Sequence, residues 1–102
     1  MARALIQNVK IVDGGSIKDG GILIENGRIA AILPEGGDAA DARTIDGGGL
    51  YASAGFIDLH VHGGVGHDFM DGTMEAYRAC CDQQLRHGVT TMLPTLSTGP
   101  EP

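Results

Sequence analysis

GFIDLHVHGG, residues Gly55 to Gly64, decides how the rest of the chain is read. Side chains alternate faces along a β-strand, so Asp58, His60 and His62 share one side of this segment while Ile57, Leu59 and Val61 share the other, packing side. A buried parallel strand ordinarily reads as an unbroken aliphatic run. An acid and two imidazoles near its C-terminal end are costly there unless they bind something. Two histidines two residues apart on one face can converge on a single divalent cation, for which neutral imidazole is a common ligand. On an exposed edge strand the same pair would simply face water. Here it stands between an aliphatic strand and a glycine-rich turn that leads into a helical segment, the setting a metal-site motif requires. His60 and His62 are therefore the expected metal ligands.

Downstream of the motif, a strand over Phe56 to Val61 is followed by a loop over His62 to Gly72. A helix comes next, its apolar positions Met74, Tyr77, Cys81 and Leu85 recurring at helical spacing. Asp71 or Thr73 can cap its start, and Gly88 suits the position just past its end. Val89 to Leu96 reads as a second strand, with Pro94 at its end or at an irregularity. Strand, helix, strand is one βαβ unit with parallel strands. Polar residues at the C-terminal end of its first strand are how a (β/α)8 barrel begins, its active site being built from strand ends and βα loops. Such a barrel needs about 250 residues, so a chain of this size holds roughly its first quarter. Gly99-Pro100-Glu101-Pro102 reads as the approach to a second helix, since proline is favoured at the first helical position.

Upstream the pattern is β-structure. Strands are expected over Ala4 to Val12, Gly21 to Glu25, Arg28 to Leu33 and Thr44 to Asp46. Asn26-Gly27 between apolar runs is a strong hairpin signal, because both residues tolerate the positive φ of a type I′ turn. Glu35 to Arg43 reads as a polar loop, and Gly47 to Gly49 as a flexible turn.

The 102 residues carry 42% hydrophobic residues and a formal net charge of -6, an ordinary globular profile with a solvated acidic surface. There is no Lys/Arg cluster to neutralise phosphates, which argues against nucleic acid as a partner. No apolar run reaches the roughly 18 residues of a membrane span, and MARALIQNVK lacks a signal peptide's basic start and apolar stretch. No membrane partner and a cytoplasmic location are the expectations. Adjacent Cys80 and Cys81 cannot readily pair with each other and lack CxxC spacing, so helix packing is expected of both.

With these residues in place, the chain resembles the amidohydrolase superfamily, whose first barrel strand carries HxH as metal ligands. GHDFMD (66–71) and GVTTMLPTL (88–96) narrow the resemblance to the N-acetylglucosamine-6-phosphate deacetylase family. NVKIVDG (8–14) and GILIENGRIAAIL (21–33) are similar to the β-sandwich segment that precedes the barrel there. The resemblance implies an α/β fold: residues 1–53 as the N-terminal part of a small β-sandwich, and 54–102 as the first β-α-β unit of an amidohydrolase barrel, truncated. It implies hydrolysis of the acetamide of an amino-sugar phosphate by water activated on a divalent metal, zinc or iron. His60 and His62 would be ligands, and the acid/base aspartate would lie downstream. HxH alone also fits a dihydroorotase, hydantoinase, adenine deaminase or D-aminoacylase, and a non-catalytic associating fragment is a third reading.

The remaining candidates are placed around that pair. Asp58 lies deeper along the strand and reads as an orienting residue rather than a ligand. Gly63 and Gly64 allow close backbone approach. His67 in the following loop and Thr95 near the end of the second strand are candidate substrate contacts, while His87 suits the negative end of the helix dipole. Where the family has proline before the GFID segment, this chain has Ala54. With both a half-sandwich and barrel strands lacking partners, the isolated chain is expected to be inactive and to associate with another copy or with the missing C-terminal part.

Overall fold

The structure, a computed structural model, describes residues 2–100. It divides into two compact units, one ending at Ala54 and the other beginning at Gly55.

The first unit is a five-stranded sheet built on β1 (Arg3–Asp13). β2 (Ser16–Glu25) and β3 (Arg28–Pro34) follow on one side as an antiparallel meander, and β4 (Arg43–Asp46) and β5 (Tyr51–Ala52) pair with β1 in parallel. Two-residue turns make the hairpins: Gly14 and Gly15 have φ of 54° and 82°, Asn26 and Gly27 of 51° and 76°. Positive φ at both central residues matches the right-handed twist of the strands they join.

β2 starts at Ser16 rather than at Gly21, its polar first half carried by pairing with β1 down to Asp13↔Ser16. Gly20 sits inside it because a Cβ there would overlap the Leu33 carbonyl oxygen on β3. β5 is an addition to the expected strands. The glycine turn after β4 is tied down rather than free: Gly47 N–H donates to Gln7 O (2.8 Å) and Gly49 N–H to Asn8 O (2.7 Å). A bulge in β1 between Ile6 and Val9 turns Asn8 to φ 55°. Its amide donates to Asp46 Oδ1 at 3.0 Å, which also accepts from Gly48 N–H at 2.8 Å. The Gly48 N–H foremost, then the Asn8 amide, hold the Asp46 carboxyl below its ordinary pKa.

The cross-strand pair Leu5↔Leu23, with Val9, forms the buried side of this sheet. Elsewhere on the unit an apolar groove of about 680 Å³ is bordered by Ile11, Val12, Ile22, Ile29 and Ile32.

In the second unit β6 (Phe56–Val61) and β9 (Val89–Pro94) lie parallel, joined through α1 (Met74–Arg86). The segment expected as a loop holds a small antiparallel hairpin, β7 (Gly63–Gly64) and β8 (His67–Asp68), then a 3-10 turn over Phe69–Asp71. Of the two possible helix caps, Thr73 acts: its Oγ1 accepts the Ala76 N–H at 3.1 Å. Asp71 serves the 3-10 turn, where its carboxylate accepts the Asp68 N–H (3.0 Å) while that of Asp68 accepts the Met70 N–H (2.7 Å). Gly88 at φ 87° follows the helix. β9 stops at Pro94, two residues short of Leu96.

The buried face of α1 differs from the expected one. Ala76 and Cys80 are buried, four residues apart, whereas Met74, Cys81 and Leu85 are exposed. Small side chains at Ala76 and Cys80 bring the helix close to its neighbours, and the larger apolar positions point elsewhere. Cys80 packs with Val61, Phe69 and Met92. On the aliphatic face of β6 only Val61 is buried; Ile57 is 63% and Leu59 69% exposed. Among the described residues no helix is long and apolar enough to cross a membrane.

Candidate metal centre

β6 and β9 fall out of step between Asp58 and Val61, where β6 uses one residue more than its partner. An irregularity of this kind interrupts the ladder and re-aims side chains. The Asp58 carboxylate occupies the break, its Oδ1 accepting the backbone N–H of His60 at 3.1 Å. Asp58 is thus tied to the backbone that carries the first histidine.

Past this point His60 and His62 turn towards each other. Their Nε2 atoms are 3.1 Å apart, with ring centroids 5.0 Å apart and planes at 64°. With two neutral imidazoles this separation suits one N–H···N bond, and with both lone pairs free it suits a shared cation. At a metal–nitrogen distance of roughly 2.0–2.1 Å the two atoms would subtend about 100° at the ion, close to the tetrahedral angle. Both histidines are exposed, so an ion could reach them. The donor set fits a divalent cation of the imidazole-binding class, and as two ligands it supplies part of the three-ligand shell of a catalytic zinc site.

Backbone ties flank the pair. The Val61 carbonyl accepts the N–H of Thr95 and the His62 carbonyl accepts that of Phe69, each at 2.8 Å. Gly63 must be glycine, since a Cβ would overlap the His67 carbonyl oxygen and lie 2.8 Å from Asp68 Cα. Gly64 and His67 offer their carbonyls to the Cys80 thiol beneath, at 3.8 and 3.9 Å.

The other candidates do not join the two imidazoles. His67 Nδ1 faces Asp71 Oδ2 at 3.6 Å, and among the described residues no third His, Cys, Asp or Glu completes a cluster. Thr95 lies just beyond β9, its hydroxyl donating to Leu93 O at 3.2 Å. His87 caps the end of α1, its N–H shared by the Gln83 and Gln84 carbonyls. Cys80 packs from the helix as expected, whereas Cys81 is exposed; the supporting role of Phe69 has no counterpart among the expected residues. The Asp68-x-x-Asp71 spacing, a carboxylate version of the capping box, was the one sequence signal of order in that loop. The apolar groove of the first unit has Asp13, Asp19 and Glu35 in its lining, but among the described residues no three such side chains come together to hold a metal ion.

No protein-family model matches the chain. An N-acetylglucosamine-6-phosphate deacetylase of Haemophilus influenzae is 33% identical over 102 residues, spanning 99% of this chain and 27% of the relative. An L-hydantoinase of Paenarthrobacter aurescens is 36% identical over 62 residues, 61% of this chain and 14% of that one. The crystal structure of N-acetylglucosamine-6-phosphate deacetylase from Pasteurella multocida superposes with a TM-score of 0.86 at 29% identity, over 97% of this chain and 27% of the other. The chain thus spans about a quarter of the length of the deacetylases it matches. The hydantoinase likeness leaves more than a third of it unmatched. Strands, helix and sequence thus agree, and over nearly the whole chain its homologues are N-acetylglucosamine-6-phosphate deacetylases of the amidohydrolase family, whose N-terminal region it matches.

Proposed function

We propose that residues 1–102 are the N-terminal part of a metal-dependent deacetylase that releases acetate from N-acetylglucosamine 6-phosphate. In this reading the first unit contributes half of a β-sandwich, and β6-α1-β9 opens a (β/α)8 barrel. The observation that carries it is the 3.1 Å approach of the two Nε2 atoms at the C-terminal end of a parallel strand, the end at which barrel enzymes build their sites.

Within that site His60 and His62 would hold a divalent cation as neutral imidazoles, and Asp58 would steady His60 through its backbone N–H. The ion, when bound, supplies the Lewis acidity that activates water and polarises an amide carbonyl. The remaining ligands, the acid/base carboxylate and the sugar-phosphate contacts would come from the region of the relatives that this chain does not span. On its own the chain would bind metal weakly and turn over no substrate.

The test is a chimera in which these 102 residues replace the matching segment of the Haemophilus influenzae relative. It should release acetate from N-acetylglucosamine 6-phosphate when supplied with zinc or iron, and the His60→Ala/His62→Ala chimera should lose metal and turnover together. A folded chimera whose activity survives the double substitution would remove the pair from the chemistry. The matching chimera built on the Paenarthrobacter aurescens hydantoinase serves the second reading, and activity there alone would favour it.

A further inference from the structure

We propose that the Gly63–Asp68 hairpin is a positioning clamp that sets the angle at which His62 meets His60, with Gly63 and Phe69 as its positioning residues. The metal role of the clamp rests on reading the two imidazoles as a metal site; its action on ring geometry does not.

His62 is the last residue before the hairpin, and its carbonyl is held by the N–H of Phe69, the first residue after it. One hydrogen bond therefore closes the hairpin onto the backbone that bears the second imidazole. Any change in how β7 and β8 close is transmitted to His62 with no flexible residue between. Closure depends on Gly63, whose missing side chain leaves room for the His67 carbonyl and the Asp68 Cα. Phe69, 5% exposed, seats the far end among Val61 and Cys80, and the Cys80 thiol lies under both hairpin carbonyls.

The turn at the tip adds a second observation. Val65 and Gly66 have φ of 48° and 80°, a left-handed pair in which a β-branched residue is an outlier. Val65 is 54% exposed, so its side chain gains little by burial in return. Such a conformation persists where the surroundings over-determine it, and here the ties on either side do so: the Phe69–His62 bond, the seated Phe69 ring and the Gly63 contact. A hairpin held this tightly between the ligand-bearing strand and the helix is suited to fixing geometry, since supporting groups around a metal site orient its ligands.

The experiment follows two readouts on the 102-residue chain carrying Ile57→Lys and Leu59→Lys, exposed positions where added charge opposes self-association: cross-relaxation between the His60 and His62 ring protons without metal, and cobalt(II) affinity. The variants are Gly63→Ala, which forces β7 from β8, and Gly66→Ala, where a Cβ meets nothing within 4 Å and only the turn is strained. Gly14→Ala places the same kind of strain in the first unit's open turn, where a Cβ also meets nothing within 4 Å. The ring–ring signal should be lost in Gly63→Ala, weakened in Gly66→Ala and intact in Gly14→Ala. Cobalt affinity should fall in the same order, by about 10–100-fold for Gly63→Ala, the range seen when outer-shell support is removed. If Gly63→Ala loses its helix signal by circular dichroism, Gly66→Ala decides. An unchanged ring–ring signal in every folded hairpin variant overturns the clamp. The expected ring pattern without any cobalt binding supports the clamp and shows that the pair needs further ligands to hold the ion, and the double-alanine chimera then decides the metal reading.

Discussion

The Nε2 atom of His60 stands 3.1 Å from that of His62, a separation that two imidazoles reach only when their backbone aims both rings at one point. The strand break at Asp58 to Val61 and the bond from Asp58 to the His60 N–H supply that aim. Replacing either histidine by alanine should therefore lower zinc affinity by more than the roughly 10–100-fold typical of losing an outer-shell partner. Calorimetric titration of the single variants checks this, and affinities equal to the parent chain's would contradict it.

Alternation over Gly55 to Gly64 was enough to bring these two histidines together, because a period of two with His60 and His62 on one face is written in the residue types themselves. The Asn26-Gly27 turn and the βαβ order were legible for the same reason. The hairpin after His62 was not, since Gly63, Gly64 and Gly66 have low strand propensity and Val65 belongs in no left-handed turn by its own preference. Tertiary ties to Phe69 and Cys80 make that hairpin, and local pattern does not encode them. The first half of β2 was not legible for a similar reason: Lys18, Asp19 and Gly20 precede the strand expected from Gly21, yet Gly20 is what lets β2 lie against the Leu33 carbonyl. On α1 helical spacing was right while the buried stripe was not, because Ala76 and Cys80 bury by being small.

Val65 offers a stabilising substitution. In the left-handed region a β-branched residue costs about 1–2 kcal/mol relative to one that tolerates it, and asparagine before Gly66 would restore the dipeptide favoured in this turn. Val65→Asn should raise stability by about 1 kcal/mol, read as a higher denaturant midpoint. A lower midpoint would mean that the exposed valine makes a contact worth more than its backbone strain.

Asp46 gives the first unit an acid-sensitive joint. Its folded pKa is depressed by the Gly48 N–H and the Asn8 amide, so the unfolded chain takes up its proton first as pH falls. The stabilisation is complete above the ordinary aspartate value of roughly 3.9 and is lost as pH drops through the lower, folded value. Asp46→Asn removes that titration. The drop in thermal midpoint between pH 6 and pH 3 should be smaller in the variant than in the parent, and equal drops would show that Asp46 does not contribute to it.

Exposed apolar surface makes the last expectation. Phe56, Ile57, Leu59, Leu93 and Leu96 of the second unit are each more than half exposed, as are Ile29 and Ile32 along the first unit's groove and Ile17 elsewhere on that unit. Soluble monomers rarely leave contiguous apolar patches beyond a few hundred Å² open to water, and burying such area releases about 25 cal/mol per Å². The edges of β6 and β9 compound this, because a two-stranded parallel sheet leaves unpaired N–H and C=O groups along both outer sides. The 102-residue chain should therefore self-associate at micromolar concentration. Ile57→Lys with Leu59→Lys should shift it towards monomer, since two like charges on one face oppose stacking of that face. Light scattering during size exclusion reads both. A parent chain that stays monomeric across the concentration series would show that this surface is covered from within residues 1–102.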